Sequence, residues 1–557
     1  MRVSFILFAL LARLGLSHTA TTKCNSKSLP TFEVYGTKIL ETQATERSNF
    51  TKWGNSYDLL PTSQQPISFC NITVTYTHPG QNDTLNAYIW LPTADNVRTW
   101  NERYLGIGGG GYVAGMLDQM PHGVALGYAV AATDGGHSLF GDPAKMSTDS
   151  GSWSLLSPGN ADWVRIQNFA SRGTGDLPKI AKEVIRGFYG RAPRRAYWNG
   201  CSTGGRQGLM SAQRFPTDYD GIVAFAPAIN WANFVVAELW PQVMMKKIGY
   251  YPPSCELDAL QQAAVSQCDA LDGVQDGLIA APGLCDFDAT TATGNPYDCD
   301  GFKREISAEA AEVANAIWRG PYRNGKRGWY GNTHETPASI PFFGPLAGIA
   351  VTSCDAENRN CKPSPFPISA DYVKNFVMKD PDFDVTSMTE EDFWRVLGKS
   401  RREFGSILGT DDPDLSEFKA AGGKMISWHG LADQLIPPNG TVEYYERVRA
   451  LDSEVRDFYR YFEAPGVYHC FGGPGAIPAG ALDAVVKWVE EGIPPESLLA
   501  TSSAPGSPSG EVSGRLLCPY PEVAVYVDGE AGEAGSFECR EGFGEVGRRR
   551  KVGHEEL

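Results

Sequence analysis

Short apolar segments alternate with amphipathic helical ones through residues 67–228, stop, and resume at 423. ISFCNITVTYTH (67–78) and TLNAYIWLPT (84–93) read as strands joined by the turn-forming PGQND. RYLGI (103–107) is a strand running into four glycines, and GYAVAATDGG (127–136) is a buried strand ending in a turn. WVRIQNFASRG reads as helical, LPKIAKEVIRGFYG (177–190) as a clear amphipathic helix, and YDGIVAFAPA (219–228) as a further strand. The rhythm returns with GKMISWHG (423–430), a helix near 439–451, the strand in VRDFYRYFEAPG (455–466) and the helix ALDAVVKWVEEG (481–492). Strands separated by helices specify a mainly parallel α/β sheet. Residues 231–418 break the pattern: they are rich in Pro, Gly, Asp and aromatics, hold six of the twelve cysteines, and offer isolated helical pieces such as SAEAAEVANAIWRG. At 557 residues the chain exceeds one ordinary domain. The economical reading is one α/β core, residues 21–230 and 419–557, interrupted by an inserted domain over 231–418. The last stretch, from APGSPSG through LLCPYPEVAVYVDG, reads as a covering segment and tail.

The first twenty residues, MRVSFILFALLARLGLSHTA, put Arg2 before an apolar run that ends in small and polar residues, as a signal peptide does. A membrane anchor is the competing reading, but the run is short and broken by Arg13. No later stretch is apolar for long enough to span a membrane. The net charge of −16 argues against nucleic acid or an anionic membrane as partner. An even number of cysteines behind a leader favours disulfides, and sequons at Asn49, Asn71, Asn82 and Asn439 agree with export. A secreted, extracellular glycoprotein is expected.

The stretch NGCSTGGRQGLM (199–210) places Gly200-Cys201-Ser202-Thr203-Gly204 between a strand and a helix. This is the G-x-S-x-G nucleophile elbow of the α/β-hydrolase fold, in which flanking glycines allow a strained turn to expose the serine. The competing reading is a glycine-rich turn with an ordinary serine. A triad on this fold runs Ser, acid, His in chain order. Four histidines follow the elbow. His334 falls in the irregular insertion and is expected at the surface. His429 precedes the nearest acid and reads as structural or as part of a loop network. His554 sits in a charged tail with no strand to position it. His469, after the strand of VRDFYRYFEAPG, is the base expected, and Asp433, in the loop after KMISW, is the acid. Cys201 directly precedes Ser202 and Cys470 directly follows His469, so a meeting of serine and histidine brings the cysteines within bridging distance. A Cys201 nucleophile is the minor alternative, disfavoured by an oxidising compartment and a waiting partner.

Cys201-Ser202, Asp433 and His469-Cys470 resemble the CS-D-HC pattern of the tannase and fungal feruloyl esterase family. GIGGGGYVAG, ATDGGH, IVAFAPAINW, WHGLADQLIPP and the late CPYP are similar to it too, and the resemblance covers about Cys24 to Cys539. It implies an α/β-hydrolase core carrying the triad Ser202, Asp433 and His469, with a large inserted lid closing over an aromatic acyl group.

An acyl-transfer site also needs donors for its oxyanion. The fold takes one from the backbone N–H after the nucleophile, Thr203, and another from the early glycine loop, where Gly110 is the first choice and Gly109 and Gly111 are alternatives. A phosphate-binding loop is the competing reading, but the Lys-Ser/Thr of a P-loop is missing. CDALDGVQDGLI (268–279) crowds Asp269, Asp272 and Asp276, and hard oxygens of this kind suit calcium as much as a solvated acidic turn. The resemblance implies a structural Ca2+ in the lid, held by these three side chains and the carbonyls of Val274 and Leu278. No organic cofactor is expected. Further pairings expected are Cys24–Cys70, Cys354–Cys361 and Cys518–Cys539, with Cys255, Cys268, Cys285 and Cys299 pairing locally. Lys326-Arg327 reads as exposed charge, with dibasic processing as the alternative.

The expected activity is a carboxylic ester hydrolase acting through an acyl-enzyme. A serine peptidase and an inactive binding protein on the same fold compete, and the complete Ser-Asp-His set disfavours the latter. The resemblance points to small phenolic esters or phenolic-substituted oligosaccharides of plant cell walls: feruloyl, p-coumaroyl and caffeoyl esters first, gallate esters second. Monomer and homodimer are both left open.

Overall fold

The computed structural model describes residues 23–53, 65–137, 143–502 and 513–542. The leader 1–20, the APGSPSG linker and the tail with His554 lie outside the described residues.

Nine strands form the central sheet: β1 (Lys38–Phe50), β2 (Ile67–Thr77), β3 (Leu85–Pro92), β4 (Arg103–Ile107), β5 (Ala129–Thr133), β6 (Arg195–Cys201), β7 (Gly221–Phe225), β8 (Lys424–Gly430) and β9 (Tyr459–Ala464). Their order is β1-β2-β3-β5-β4-β6-β7-β8-β9. The β1-β2-β3-β5 side is antiparallel, and the run from β5 through β4 to β9 is parallel. β4 to β9 thus bring their carboxyl ends to one rim, the place where open α/β sheets bind ligands.

Amphipathic spacing decides which helix covers which face. Helix α1 (Gly173–Tyr189) buries Leu177, Ile180, Val184 and Phe188 and ends at Gly190 in the left-handed region. It shares one face of the sheet with α2 (Thr203–Arg214) and a helix at Asn439–Leu451, which contributes Val442, Tyr445 and Val448. The opposite face is covered by Met120–Ala125 and by Ala481–Glu491, whose Leu482, Val485 and Trp488 meet Val223, Ile426 and Trp428.

β7 and β8 are parallel neighbours although residues 226–423 separate them in sequence. That excursion contributes to two clusters, the first of them shared with core residues such as Tyr112, Phe169 and Leu435. One packs α3 (Trp231–Ala237) against α4 (Glu390–Leu408) around Trp231, Tyr372, Phe376 and Phe404. α4 begins with a capping box, in which Thr389 Oγ1 accepts from Asp392 N and Asp392 Oδ2 from Thr389 N. The other gathers Leu257, Leu260, Ile279, Ala310 and Val313 around disulfides Cys255–Cys299 and Cys268–Cys285. His334, expected at the surface, is instead half-buried, because its ring packs on Trp318 at 4.7 Å. Lys326 and Arg327 are exposed, on a two-residue hairpin strand.

Cys24–Cys70, Cys354–Cys361 and Cys518–Cys539 pair as expected, and no cysteine among the described residues is free. The C-terminal segment covers the outer edge of β9: Tyr520 N donates to Tyr461 O at 2.7 Å, and Pro519 bridges to Phe462. Among the described residues no helix is long and apolar enough to cross a membrane.

Candidate active site

Ser202 sits between the last residue of β6 and the first of α2 at φ 58°, ψ −121°, a conformation a side-chain-bearing residue rarely adopts. Three backbone bonds hold it there. Ser202 N donates to Phe225 O (3.0 Å), and Ser202 O accepts from Arg206 N (2.9 Å) and Ala228 N (3.0 Å). The neighbouring glycines are required by close approach. A Cβ on Gly200 would meet Gly204 carbonyl carbon at 2.7 Å, and one on Gly108 would meet Gly204 Cα at 2.3 Å. The elbow and the glycine loop after β4 therefore touch backbone to backbone.

Asp433, on the loop after β8, is fully buried. Its Oδ1 accepts from the N–H groups of Leu435 (2.8 Å) and Ile436 (2.9 Å), leaving Oδ2 for two imidazoles. His469 Nδ1 lies 2.7 Å from Oδ2, and His429 Nε2 lies 3.0 Å from the same oxygen. His429 Nε2 is also 3.1 Å from Ile436 O, which can only accept, so Nε2 carries a proton and Nδ1 accepts from Thr441 Oγ1 (2.8 Å). Burial alone would raise the Asp433 pKa. Attraction to His469 and hydrogen bonds from both imidazoles outweigh it and hold the carboxyl well below its ordinary range. With Nδ1–H directed at a carboxylate, His469 presents Nε2 as the free base.

Cys201 and Cys470 are disulfide-bonded with Cα atoms 5.9 Å apart, tying the end of β6 to the histidine loop. Their sulfurs cluster with His469, but bridged sulfurs are not thiolate ligands for a metal. Ser202, Thr203 and His469 line one pocket, walled by Trp231, Phe234, Phe366, Ile368 and Leu435.

The Gly110 N–H, the first choice for a second oxyanion donor, is instead spent on Val113 O at 3.0 Å in a tight turn, and Gly109 N donates to Gln207 Oε1 at 3.0 Å. Gly111 is the member of the glycine run that lines the pocket, and its carbonyl accepts from Thr203 Oγ1 (2.6 Å).

In the acidic loop, Asp269 Oδ1 accepts from Asp276 N (3.0 Å) and Gly277 N (3.1 Å). Asp272 Oδ1 accepts from Val274 N, and Asp276 Oδ1 from Leu278 N, each at 3.2 Å. Arg515, from the C-terminal segment, donates to Asp276 Oδ2, and its other terminal nitrogen lies 3.7 Å from Asp272 Oδ2. Burial raises the Asp272 pKa to about 6. Of the four sequon asparagines, Asn49, Asn82 and Asn439 are exposed, and Asn71 is half-buried on β2.

Several participants had no sequence signal of their own. Gln434 accepts from His469 N (3.0 Å), Asn332 donates to Asp433 O (3.1 Å), and Thr333 Oγ1 donates to Leu431 O (2.6 Å). Two inserted-domain residues thus pin the loop that carries the acid. A buried polar run at 433–434 directly after an apolar strand was the one available hint.

This constellation has counterparts among known proteins. The family model described as "Tannase and feruloyl esterase" matches residues 70–540. The chain is 38% identical over 484 residues to a probable feruloyl esterase of Arthroderma benhamiae, covering 86% of this chain and 87% of that one. It is 28% identical over 526 residues to the tannase of Aspergillus oryzae, covering 86% of each. Among solved structures, the tannin acyl hydrolase of Aspergillus niger superposes with a TM-score of 0.82 at 28% identity, covering 95% of this chain and 96% of that one. With an α/β-hydrolase sheet, a serine at the strained elbow and these relatives along nearly its whole length, the chain belongs to the tannase and feruloyl esterase family and is a carboxylic ester hydrolase.

Proposed function

We propose that the enzyme cleaves hydroxycinnamate esters (feruloyl, p-coumaroyl and caffeoyl) of plant cell-wall material, with Ser202, Asp433 and His469 as its triad. The observation that carries the triad is one pocket lined by Ser202 and His469, whose imidazole is backed by Asp433 at 2.7 Å. Ser202 Oγ attacks the ester carbonyl carbon while its proton passes to His469 Nε2. Asp433 keeps Nδ1 protonated and stabilises the imidazolium. The oxyanion takes hydrogen bonds from the N–H groups of Thr203 and Gly111, Gly111 replacing Gly110 because the latter's donor is engaged. Collapse expels the alcohol, which takes the proton from His469. Water then repeats the sequence on the acyl-enzyme.

The aromatic and aliphatic walls suit a planar phenolic acyl group. The name of the Arthroderma benhamiae relative favours feruloyl esters, whereas the names of the tannase of Aspergillus oryzae and the tannin acyl hydrolase of Aspergillus niger favour tannins. Comparing kcat/KM on methyl ferulate, methyl caffeate and methyl gallate decides between them, and a clear preference for gallate overturns the hydroxycinnamate reading. S202A hydrolysing an activated phenolic ester as fast as wild type removes the triad.

The lid loop fits a hard cation in its donor chemistry: three carboxylates lie on one short turn, and Asp272 Oδ2 is buried without a hydrogen-bond partner. Calcium there would be held by Asp269, Asp272 and Asp276 with the carbonyls of Val274 and Leu278, and would fix the loop without entering the chemistry. Six disulfides and three exposed sequons support secretion as a glycoprotein.

A further inference from the structure

One wall of the acyl pocket is a single helical face. Trp231, Phe234, Val235 and Glu238 are spaced i, i+3, i+4, i+7 along α3 and its C-cap, and all four line the cavity that holds Ser202 and His469. The helix starts beside the nucleophile, because Ala228 N donates to Ser202 O. From Trp231 to Glu238 it advances roughly 10 Å along its axis, and Glu238, at its carboxyl end, lines the same cavity as Ser202 and His469.

Glu238 is out of place by composition. It is 3% exposed among apolar side chains and carries no ion pair among the described residues. Ser369 Oγ donates to Oε2, and Oε1 has no hydrogen-bond partner among the described residues. Burial, with the negative charge of Asp433 nearby, pushes its pKa well above the ordinary glutamate value. A protonated carboxyl offers one O–H donor and one carbonyl acceptor, and an ionised one still accepts from a phenolic O–H. Ser369 uses the acceptor side and leaves the other oxygen to whatever fills the pocket.

We propose that Glu238 is the specificity-determining residue of the acyl pocket, hydrogen-bonding a phenolic hydroxyl of the acyl ring and so selecting hydroxylated acids over bare ones. The proposal rests on the phenolic acyl reading given above. An acyl ring without a hydroxyl leaves a buried polar group unpaired, and an unpaired buried group discriminates more strongly than a missing apolar contact.

The test uses matched substrate pairs: methyl p-coumarate with methyl cinnamate, and methyl 4-hydroxybenzoate with methyl benzoate. The readout is the ratio of kcat/KM within each pair. Wild type should favour the hydroxylated member by about ten- to a hundred-fold in at least one pair. Glu238→Leu should bring that ratio to within a few-fold of one, mainly through KM, while Glu238→Gln, which can still donate and accept, should keep most of it. If Glu238→Leu does not fold by circular dichroism, Glu238→Met tests the same loss. A ratio unchanged in the apolar variant, or a wild-type ratio near one in both pairs, overturns the proposal. A hydroxyl preference seen only in the benzoate pair and abolished by Glu238→Leu retains Glu238 and overturns the hydroxycinnamate reading instead.

Discussion

One carboxylate oxygen serving two imidazoles makes Asp433 the most constrained side chain of the site. Its Oδ1 is filled by two backbone N–H groups, so neither histidine can move to the other oxygen. Asp433→Asn keeps the shape but, with the amide oxygen held by the two backbone N–H groups, puts an N–H donor where one oxygen accepted from both imidazoles. We expect kcat/KM to fall by about 10³–10⁴-fold with the fold retained; a loss under ten-fold would show that His469 is oriented by something else. His429 acts one step further out. His429→Ala leaves Asp433 held by Leu435 and Ile436, so a loss of about ten-fold in kcat, with KM little changed, is expected, and a loss as large as in Asp433→Asn would make His429 a full partner. The depressed Asp433 pKa fixes a sign as well. Its contribution to stability is complete above the unfolded carboxylate pKa and disappears only as pH falls through the much lower folded value. Activity lost between pH 6 and 4 therefore belongs to other groups.

Backbone contact between the elbow and the glycine loop is an element-scale property, and substitution should expose it. Gly108→Ala places a methyl at 2.3 Å from Gly204 Cα, where neither backbone can yield without displacing Ser202. A destabilisation of about 1–3 kcal/mol is expected from overpacking, together with a larger fractional loss of activity than of folded protein. Wild-type activity in Gly108→Ala would mean the two elements are not held together. This contact is also where legibility ended. The elbow, the order of serine, acid and histidine, and the strands of β2 through β9 could be read because each has a period or a spacing. The choice among four consecutive glycines could not, because which N–H points inward depends on a turn closed by Val113 and on the Gly109 N–H donating to Gln207 Oε1, both set by tertiary packing. β1 was equally silent. KILETQATERSNF is an edge strand exposed along most of its length, so no apolar face marks it. Glu238 shares a helical period with Trp231, Phe234 and Val235, but a period says only which residues share a face and not that the face meets the pocket, and Asn332 lies in an irregular loop with no period at all.

At the scale of the whole molecule, the segment between β7 and β8 holds the acid loop in place. Asn332 and Thr333 pin the acid loop, and Glu335 accepts from Gly466 N near the histidine turn and from Ile279 N beside the acidic loop. Metal analysis of chelator-free protein should give about one calcium per chain, and a chelator should lower Tm by several degrees; finding no calcium would make the loop merely acidic, neutralised by Arg515. A separate link joins the inserted domain to the core at Asp371, which accepts from Ser150 N (3.1 Å) and Ser150 Oγ (2.5 Å). Burial raises its pKa to about 6, more than its hydrogen bonds from Ser150 lower it. Between pH 4 and 6 the folded chain therefore keeps a proton that the unfolded chain has released, so this group's stabilising contribution is complete below the unfolded pKa and declines as pH rises through 6. The shift corresponds to at most about 3 kcal/mol. Asp371→Asn preserves the acceptor for Ser150 and cannot titrate. Urea unfolding at pH 4.5 and 7 should give a smaller drop in stability for Asp371→Asn than for wild type, the difference isolating Asp371 from Asp258 and Glu335, whose pKa values are raised in the same direction. Equal drops in the two proteins would mean that Asp371 is already ionised in the folded state, with its charge balanced at the contact between core and inserted domain.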